Sequence, residues 1–192
     1  MNRTAEIRRK TKETDIALKL SLDGGEVRID TGIGFFDHML TALAFYAGFG
    51  LELTVKGDLE VDGHHTVEDT GIVLGDAVAQ ALGSRLGIRR FGSAYVPMDE
   101  ALCFTALDFS GRPHLVFDAK MPQEIIGTYE SWLTVEFMRA LAVHGGLTLH
   151  QKALYGDNAH HITEGLFKAL GLAMKDAVRI ESGGVPSTKG VL

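Results

Sequence analysis

Along the first thirty residues apolar and polar positions alternate, which predicts strands over 3–10, 15–21 and 26–30 with a turn at Asp23-Gly24-Gly25. The period then changes. After a loop at Gly32 to Gly34, Met39, Leu40, Leu43, Ala44 and Ala47 recur at helical spacing, predicting a helix over about 36–47 with Gly48 as its stop. Residues 51–56 alternate again. Residues 64–82 read as a long helix with Val67, Gly71, Leu74 and Val78 on one face. The same order then returns. It predicts strands near 94–98, 101–109 and 114–118, a helix near 129–144, a strand near 147–153 and a helix near 160–180. Each half is expected to be a small α+β unit, a sheet with two helices on one face.

The recurrence extends to residue identity. Gly63-His64-His65-Thr66-Val67-Glu68 matches Ala159-His160-His161-Ile162-Thr163-Glu164 at an offset of 96, half the chain. Leu74/Leu170, Gly75/Gly171, Ala77/Ala173 and Ala81/Ala177 keep that offset, as do Leu51, Leu53 and Lys56 with Leu147, Leu149 and Lys152. A shift of two residues brings Leu40 and Leu43 onto Met138 and Leu141. The expected organisation is a single domain over 1–192, built from repeats of about 1–92 and 93–192 with no linker between them. Residues 183–190 have loop composition.

Composition narrows the chemistry. The chain has one cysteine (Cys103) and eight histidines, so a disulfide framework and a Cys-rich zinc or iron–sulfur site are excluded. Any metal site must use nitrogen and oxygen ligands. Net charge −6 argues against a nucleic-acid binder with a basic surface. No apolar run approaches the ~18–20 residues of a membrane span, and the N-terminus lacks an apolar signal region, so a cytoplasmic protein is expected.

The repeated HHxxE carries the strongest chemical signal. On a helix His64 and Glu68 are i,i+4 neighbours, whereas His64 and His65 point about 100° apart, so adjacent histidines suit two different ions. Duplication then points to two metals, each taking histidines from both halves and one glutamate. Imidazole and carboxylate without thiolate favour manganese, iron, zinc or nickel. Asp37-His38 opens the first covering helix, where such a pair is ordinarily a cap and a surface histidine. Its counterpart in the second half is Glu136. The candidate ligands are therefore His38, His64, His65 and Glu68, then Glu136, His160, His161 and Glu164. Anion-binding candidates are scattered: Arg89-Arg90, Ser110-Gly111-Arg112-Pro113 and Ser187-Thr188-Lys189-Gly190. Each alone is weak. Glu13 and Lys168 read by themselves as exposed charges, His114, His144 and His150 as structural or surface residues, and Cys103 as a buried small hydrophobe.

Taken together, Gly34-Phe35-Phe36-Asp37-His38-Met39-Leu40, Asp62-Gly63-His64-His65-Thr66-Val67-Glu68-Asp69, Ser110-Gly111-Arg112-Pro113, Asn158-Ala159-His160-His161-Ile162-Thr163-Glu164 and Pro186-Ser187-Thr188-Lys189-Gly190-Val191-Leu192 resemble the imidazoleglycerol-phosphate dehydratase family of histidine biosynthesis. The resemblance runs from Arg9-Lys10-Thr11-Lys12-Glu13-Thr14 to the last residue. It implies a duplicated α+β fold, two Mn2+ ions per site, and a homo-oligomer of 24 chains with sites between subunits. The substrate would be imidazole glycerol phosphate, dehydrated to imidazole acetol phosphate. One ion would be held by His38, His65, Glu68 and His160, the other by His64, Glu136, His161 and Glu164. Many members have histidine where this chain has Glu136. Glu13, Arg90, Arg112, Lys168, Ser187, Thr188 and Lys189 match substrate positions, with the arginines, the tail hydroxyls and Lys189 at the phosphate. Glu13 is the candidate acid/base, with His64, Glu68, His160, Glu164 and Lys168 in the catalytic set.

Two other classes fit these residues less well. A dinuclear phosphatase or amidohydrolase usually depends on aspartates, whereas histidines dominate here. A metal-storage shell would need neither the arginines nor the Ser-Thr-Lys tail.

Overall fold

The computed structural model describes residues 3–122, 124–181, 184–185 and 187–190. The first half comprises β1 (Thr4–Lys10), β2 (Thr14–Ser21), β3 (Val27–Asp30), α1 (Gly34–Ala47), β4 (Gly50–Gly57) and α2 (His64–Leu82). The second comprises β5 (Phe91–Met98), β6 (Ala101–Asp108), β7 (His114–Asp118), β8 (Ile125–Ile126), β9 (Tyr129–Glu130), α3 (Leu133–Gly145), β10 (Thr148–Tyr155) and α4 (Ala159–Ala177). The two sheets have equivalent orders, β1-β2-β4-β3 and β5-β6-β10-β7, each antiparallel except for one parallel pair, β3 with β4 and β7 with β10. The fold is thus α+β, with a four-stranded sheet in each duplicated half.

Strand alternation explains which face is covered. Ile16, Leu18 and Leu20 of β2 pair with Val55, Leu53 and Leu51 of β4, and all six are buried. On the second sheet the inner face carries Cys103, Thr105, Leu107 and Leu149, with Gln151 donating to Thr105 Oγ1 and to the Leu166 carbonyl, both at 3.1 Å. Helix α2 lies on the first sheet and α4 on the second. Helix α1 reaches β3 and α3 reaches β7 of their own sheets, but their larger contacts cross between halves: α1 packs on α4, and α2 on α3. The two halves consequently share one hydrophobic core, in which Phe36 meets Tyr129, Phe137 and Phe167 at ring separations of 5.9, 5.4 and 6.5 Å.

Repeated glycines permit these crossings. A Cβ on Gly75 would stand 2.7 Å from the His144 Cβ, and one on its repeat partner Gly171 would stand 2.6 Å from the Leu43 carbonyl oxygen. No side chain fits at either crossing. The helices therefore come close enough for short polar side chains from different halves to meet.

Two boundaries differ from the periodicity. The third helix starts at Leu133 rather than near 129, because a small hairpin of β8 and β9 precedes it, turning at Gly127 (φ +63°) and placing Tyr129 in the core. The last helix stops at Ala177 rather than near 180, because Ile180 leaves it to pair with Ile88. Cys103 is buried as expected, donates to the Ile162 carbonyl at 3.3 Å, and has its thiol pushed up to about 12 by desolvation.

Candidate metal centre

The crossing of α1 over α4 brings His38, His160 and Glu164 together. One ligand atom from each lies within 4.8 Å of the others, the one such group of three among the described residues. His38 Nε2 is 3.4 Å and His160 Nε2 3.2 Å from Glu164 Oε2. Glu164 is buried. Its other oxygen accepts from Lys168 Nζ at 2.8 Å. Burial alone would raise the Glu164 pKa, but the Lys168 hydrogen bond and charge, with His38, more than offset it and leave the carboxylate below its ordinary value. Phe35 packs edge-on to the His160 ring at 4.9 Å. The Asn158 side chain accepts from the His160 and His161 backbone N–H groups and so caps the start of α4. Two imidazoles and a carboxylate converging without a thiol suit a divalent transition metal.

The repeat-related place, where α2 crosses α3, is looser. His64 Nε2 lies 3.5 Å from Glu68 Oε2, one turn on. Trp132 lies at 5.4 Å from the His64 ring. Glu136 follows Trp132 by one turn on α3, and its carboxylate pairs with Arg139.

The second histidine of each pair turns away, as helix geometry requires. His65 Nδ1 is 3.0 Å from Asp58 Oδ2, and its Nε2 is 3.8 Å from Glu13 Oε1. His161 Nδ1 is 2.6 Å from Glu100 Oε2. These carboxylates raise both imidazole pKa values, and the His161 bond holds Glu100 at about 2. Glu13 sits in the β1–β2 turn, where the Thr11 hydroxyl accepts its N–H at 3.0 Å. The buried Asp69 fastens that turn by accepting from Thr14 Oγ1 and Arg9, both at 2.5 Å.

Within one chain, Glu164 lies beside His38 and His160, and Glu68 beside His64. The grouping implied by the resemblance, Glu68 with His38 and His160 and Glu164 with His64, would draw on more than one subunit. Sequence reasoning missed Asp58, Glu100 and Trp132. The signal for Glu100 was available: it immediately precedes β6 as Glu13 precedes β2.

Anion-binding candidates gather elsewhere. Asp108 accepts from Arg90 Nε at 2.6 Å and lies 3.9 Å from Arg112. The Arg90 N–H donates to the Ala177 carbonyl at the far end of α4, and at ~1.5 Å per residue that is about 25 Å from His160. Ser187 is partly exposed, Thr188 and Lys189 are exposed, and the tail is tied to Gly87 through the Gly184 carbonyl. Among the expected residues, then, Lys168 joins the His38 cluster and Glu13 joins His65, while the arginines stand apart from both. His114 and His150 are exposed, and His144 pairs with Asp76 at 2.9 Å.

Fold and site together define an internally duplicated α+β protein with histidine–carboxylate clusters at its helix crossings. A family model of imidazoleglycerol-phosphate dehydratase matches residues 31–174. The chain is 57% identical over 195 aligned residues to the imidazoleglycerol-phosphate dehydratase of Acetivibrio thermocellus, covering 100% of both chains. It is 55% identical to that of Gluconobacter oxydans, over 100% of this chain and 98% of the other. The crystal structure of the dehydratase from Staphylococcus aureus superposes with a TM-score of 0.85 at 35% identity, covering 92% of this chain and 99% of that one. The Pyrococcus furiosus structure, in complex with (S)-C348, gives 0.84 at 42% identity, covering 97% and 100%. The chain belongs to the imidazoleglycerol-phosphate dehydratase family and is a carbon–oxygen lyase of the hydro-lyase class. No helix among the described residues is long and apolar enough to cross a membrane.

Proposed function

We propose that the chain dehydrates imidazole glycerol phosphate to imidazole acetol phosphate and water, with two Mn2+ ions, in the cytoplasm. The observation that carries the metal reading is the convergence of His38, His160 and Glu164 from two halves of the chain onto one point. One ion would be held by His38, His65, Glu68 and His160, the other by His64, Glu136, His161 and Glu164, each set drawn from more than one copy. His65 and His161, turned away from His64 and His160 around their helices, would meet ions shared with neighbouring copies. The ions would supply Lewis acidity and a template for a ring with two nitrogen donors.

The remaining work falls to the protein. Glu13 takes the proton from the carbon beside the one that loses its hydroxyl. The hydroxyl leaves as water, and the resulting enol tautomerises to the ketone. Thr11 and Asp69 hold the Glu13 turn rigid, so that the carboxylate is positioned beside His65 before substrate arrives. Lys168 fixes Glu164 and lines the substrate side. Arg90, Arg112, Ser187, Thr188 and Lys189 grip the phosphate. The distance of about 25 Å along α4 between the arginines and His160 within one chain supports a site assembled from several copies. We take the assembly to be the 24-chain homo-oligomer.

Metal analysis of the purified protein, followed by a dehydration assay before and after chelation, tests this. Loss of turnover on chelation and its recovery with Mn2+ is expected. Unchanged turnover after complete metal removal overturns the metal reading. Hydrolysis of a generic phosphoester in place of dehydration overturns the reaction.

A further inference from the structure

We propose that Glu100 is a positioning residue for His161: it fixes the imidazole in the Nδ1–H form and so presents Nε2 to a metal. This rests on the reading of His161 as a ligand.

Glu100 stands in the tight turn between β5 and β6, the equivalent of the turn that carries Glu13 in the first half. Its two oxygens have divided tasks. Oε1 accepts the backbone N–H groups of Asp157 and Asn158, at 3.1 and 2.9 Å, and so clamps the segment leading into α4. Oε2 lies 2.6 Å from His161 Nδ1. An ionised carboxylate can only accept, so the proton of a neutral imidazole must be on Nδ1. Nε2 is left as the lone-pair nitrogen. Asp99 Oδ2 is 3.6 Å from that Nε2, beyond hydrogen-bond reach, and is exposed. A carboxylate on the far nitrogen of a ligating histidine both orients the ring and increases its donor strength.

The first half solves the same problem with another residue. There Asp58, at the end of β4, accepts from His65 Nδ1 at 3.0 Å, and the turn carboxylate Glu13 is left facing Nε2. The turn glutamate therefore has opposite assignments in the two halves. In one it faces the chemistry, and in the other it holds a ring.

Glu100→Gln separates positioning from clamping. The amide oxygen can still accept from Asp157 and Asn158, keeping the segment in place. The amide nitrogen then offers a donor to His161 Nδ1, which favours the Nε2–H tautomer and blocks the ligating nitrogen. The measurements are titration of the metal-free full chain with Mn2+ by calorimetry, and 15N chemical shifts of the His161 ring nitrogens in the metal-free protein. Wild type should show the Nδ1–H pattern. Glu100→Gln should lose the Nδ1–H pattern and bind one of its two Mn2+ equivalents about 10- to 100-fold more weakly, with the other unchanged. Wild-type Mn2+ binding together with a retained Nδ1–H tautomer in Glu100→Gln overturns the proposal. His161→Ala distinguishes the two layers. If that variant binds Mn2+ like wild type, the ligand reading itself fails; if it loses an equivalent and Glu100→Gln does not, only the positioning role fails.

Discussion

The two sheets share a strand order and differ most on the faces that no helix covers. Across the first sheet runs a row of alternating charge, Glu6 opposite Lys19, Lys19 opposite Glu52, and Glu52 opposite Arg28. Such opposite-charge neighbours support one another and suit water. The corresponding rows of the second sheet read Ser93, Ala106, His150 and Val116, then Tyr95, Phe104, Lys152 and Asp118. Tyr95 and Phe104 pack at a ring separation of 4.6 Å, and Tyr95 is 63% exposed. Duplication supplied two copies of one scaffold. The inner faces and helix crossings match between the halves, while one outer face is charged and the other carries aromatic surface. The same divergence runs through the clusters: His38 against Glu136, and Glu13 facing Nε2 against Glu100 on Nδ1.

The largest effect that would test this comparison comes from the ligands themselves. His160→Ala removes a donor from the tight cluster and should lose one equivalent of bound metal with turnover falling to background. Glu136→Ala, in the looser cluster, should weaken binding at the other ion only. Metal stoichiometry by elemental analysis reads both. Full occupancy in His160→Ala would dissolve the assignment of the α1–α4 crossing. Next in size is Glu13→Gln. It should keep metal and assembly but lose about 10²–10⁴ of turnover, the range for a positioned acid/base. A wild-type rate would leave Glu13 a bystander and remove the contrast with Glu100.

Much of the scaffold was legible before any coordinates. Period-two alternation in β2 and β4 and period-3.6 spacing in α1 are local properties, and each half buries what its pattern says it must. The HHxxE repeat was legible because identity at a fixed offset is visible in one dimension. What escaped is what depends on packing between distant segments. The meeting of His38 with His160 and Glu164 follows from α1 crossing α4, which no window of sequence contains. Asp58 and Glu100 hold histidines from loops seven and 61 residues away. The β8–β9 hairpin has only two residues per strand, too few for a period. The separation of Arg90 from His160 needs the length of α4 and the anchoring of Arg90 at its far end.

Smaller effects probe the shared core and the divergent faces. Phe36→Ala empties the point where both halves meet and should cost about 3–5 kcal/mol by denaturant unfolding. A loss confined to the first half, seen as two transitions, would argue against one cooperative unit. On the outer faces, Phe104→Lys puts a charge into the aromatic row and should lower the assembly state in sedimentation. Thr54→Lys on the charged sheet should not. Equal behaviour of the two variants would mean that the aromatic face does not distinguish the halves in assembly.

The smallest expected effect is electrostatic and belongs to the metal-free chain. Glu100 is held at about 2 by its hydrogen bond to His161, against an ordinary 4.5. A lowered carboxylate contributes stability that is present above the ordinary value and is lost as pH falls through the folded one. The contribution should therefore fade between about 4.5 and about 2. His161 has its pKa raised by the same bond, so its contribution is complete below 6.5, the ordinary imidazole value, and is lost as pH rises through the folded one. Between those limits, from pH 4.5 to 6.5, both partners are charged and the pair contributes most. Glu100→Gln removes the acid slope and the largest part of the His161 slope, leaving the smaller effect of Asp99 and Glu164, so the difference in stability between it and the wild type should be widest in that window and shrink on either side. A difference that does not change with pH would show that Glu100 acts only through its backbone clamp, which the amide preserves.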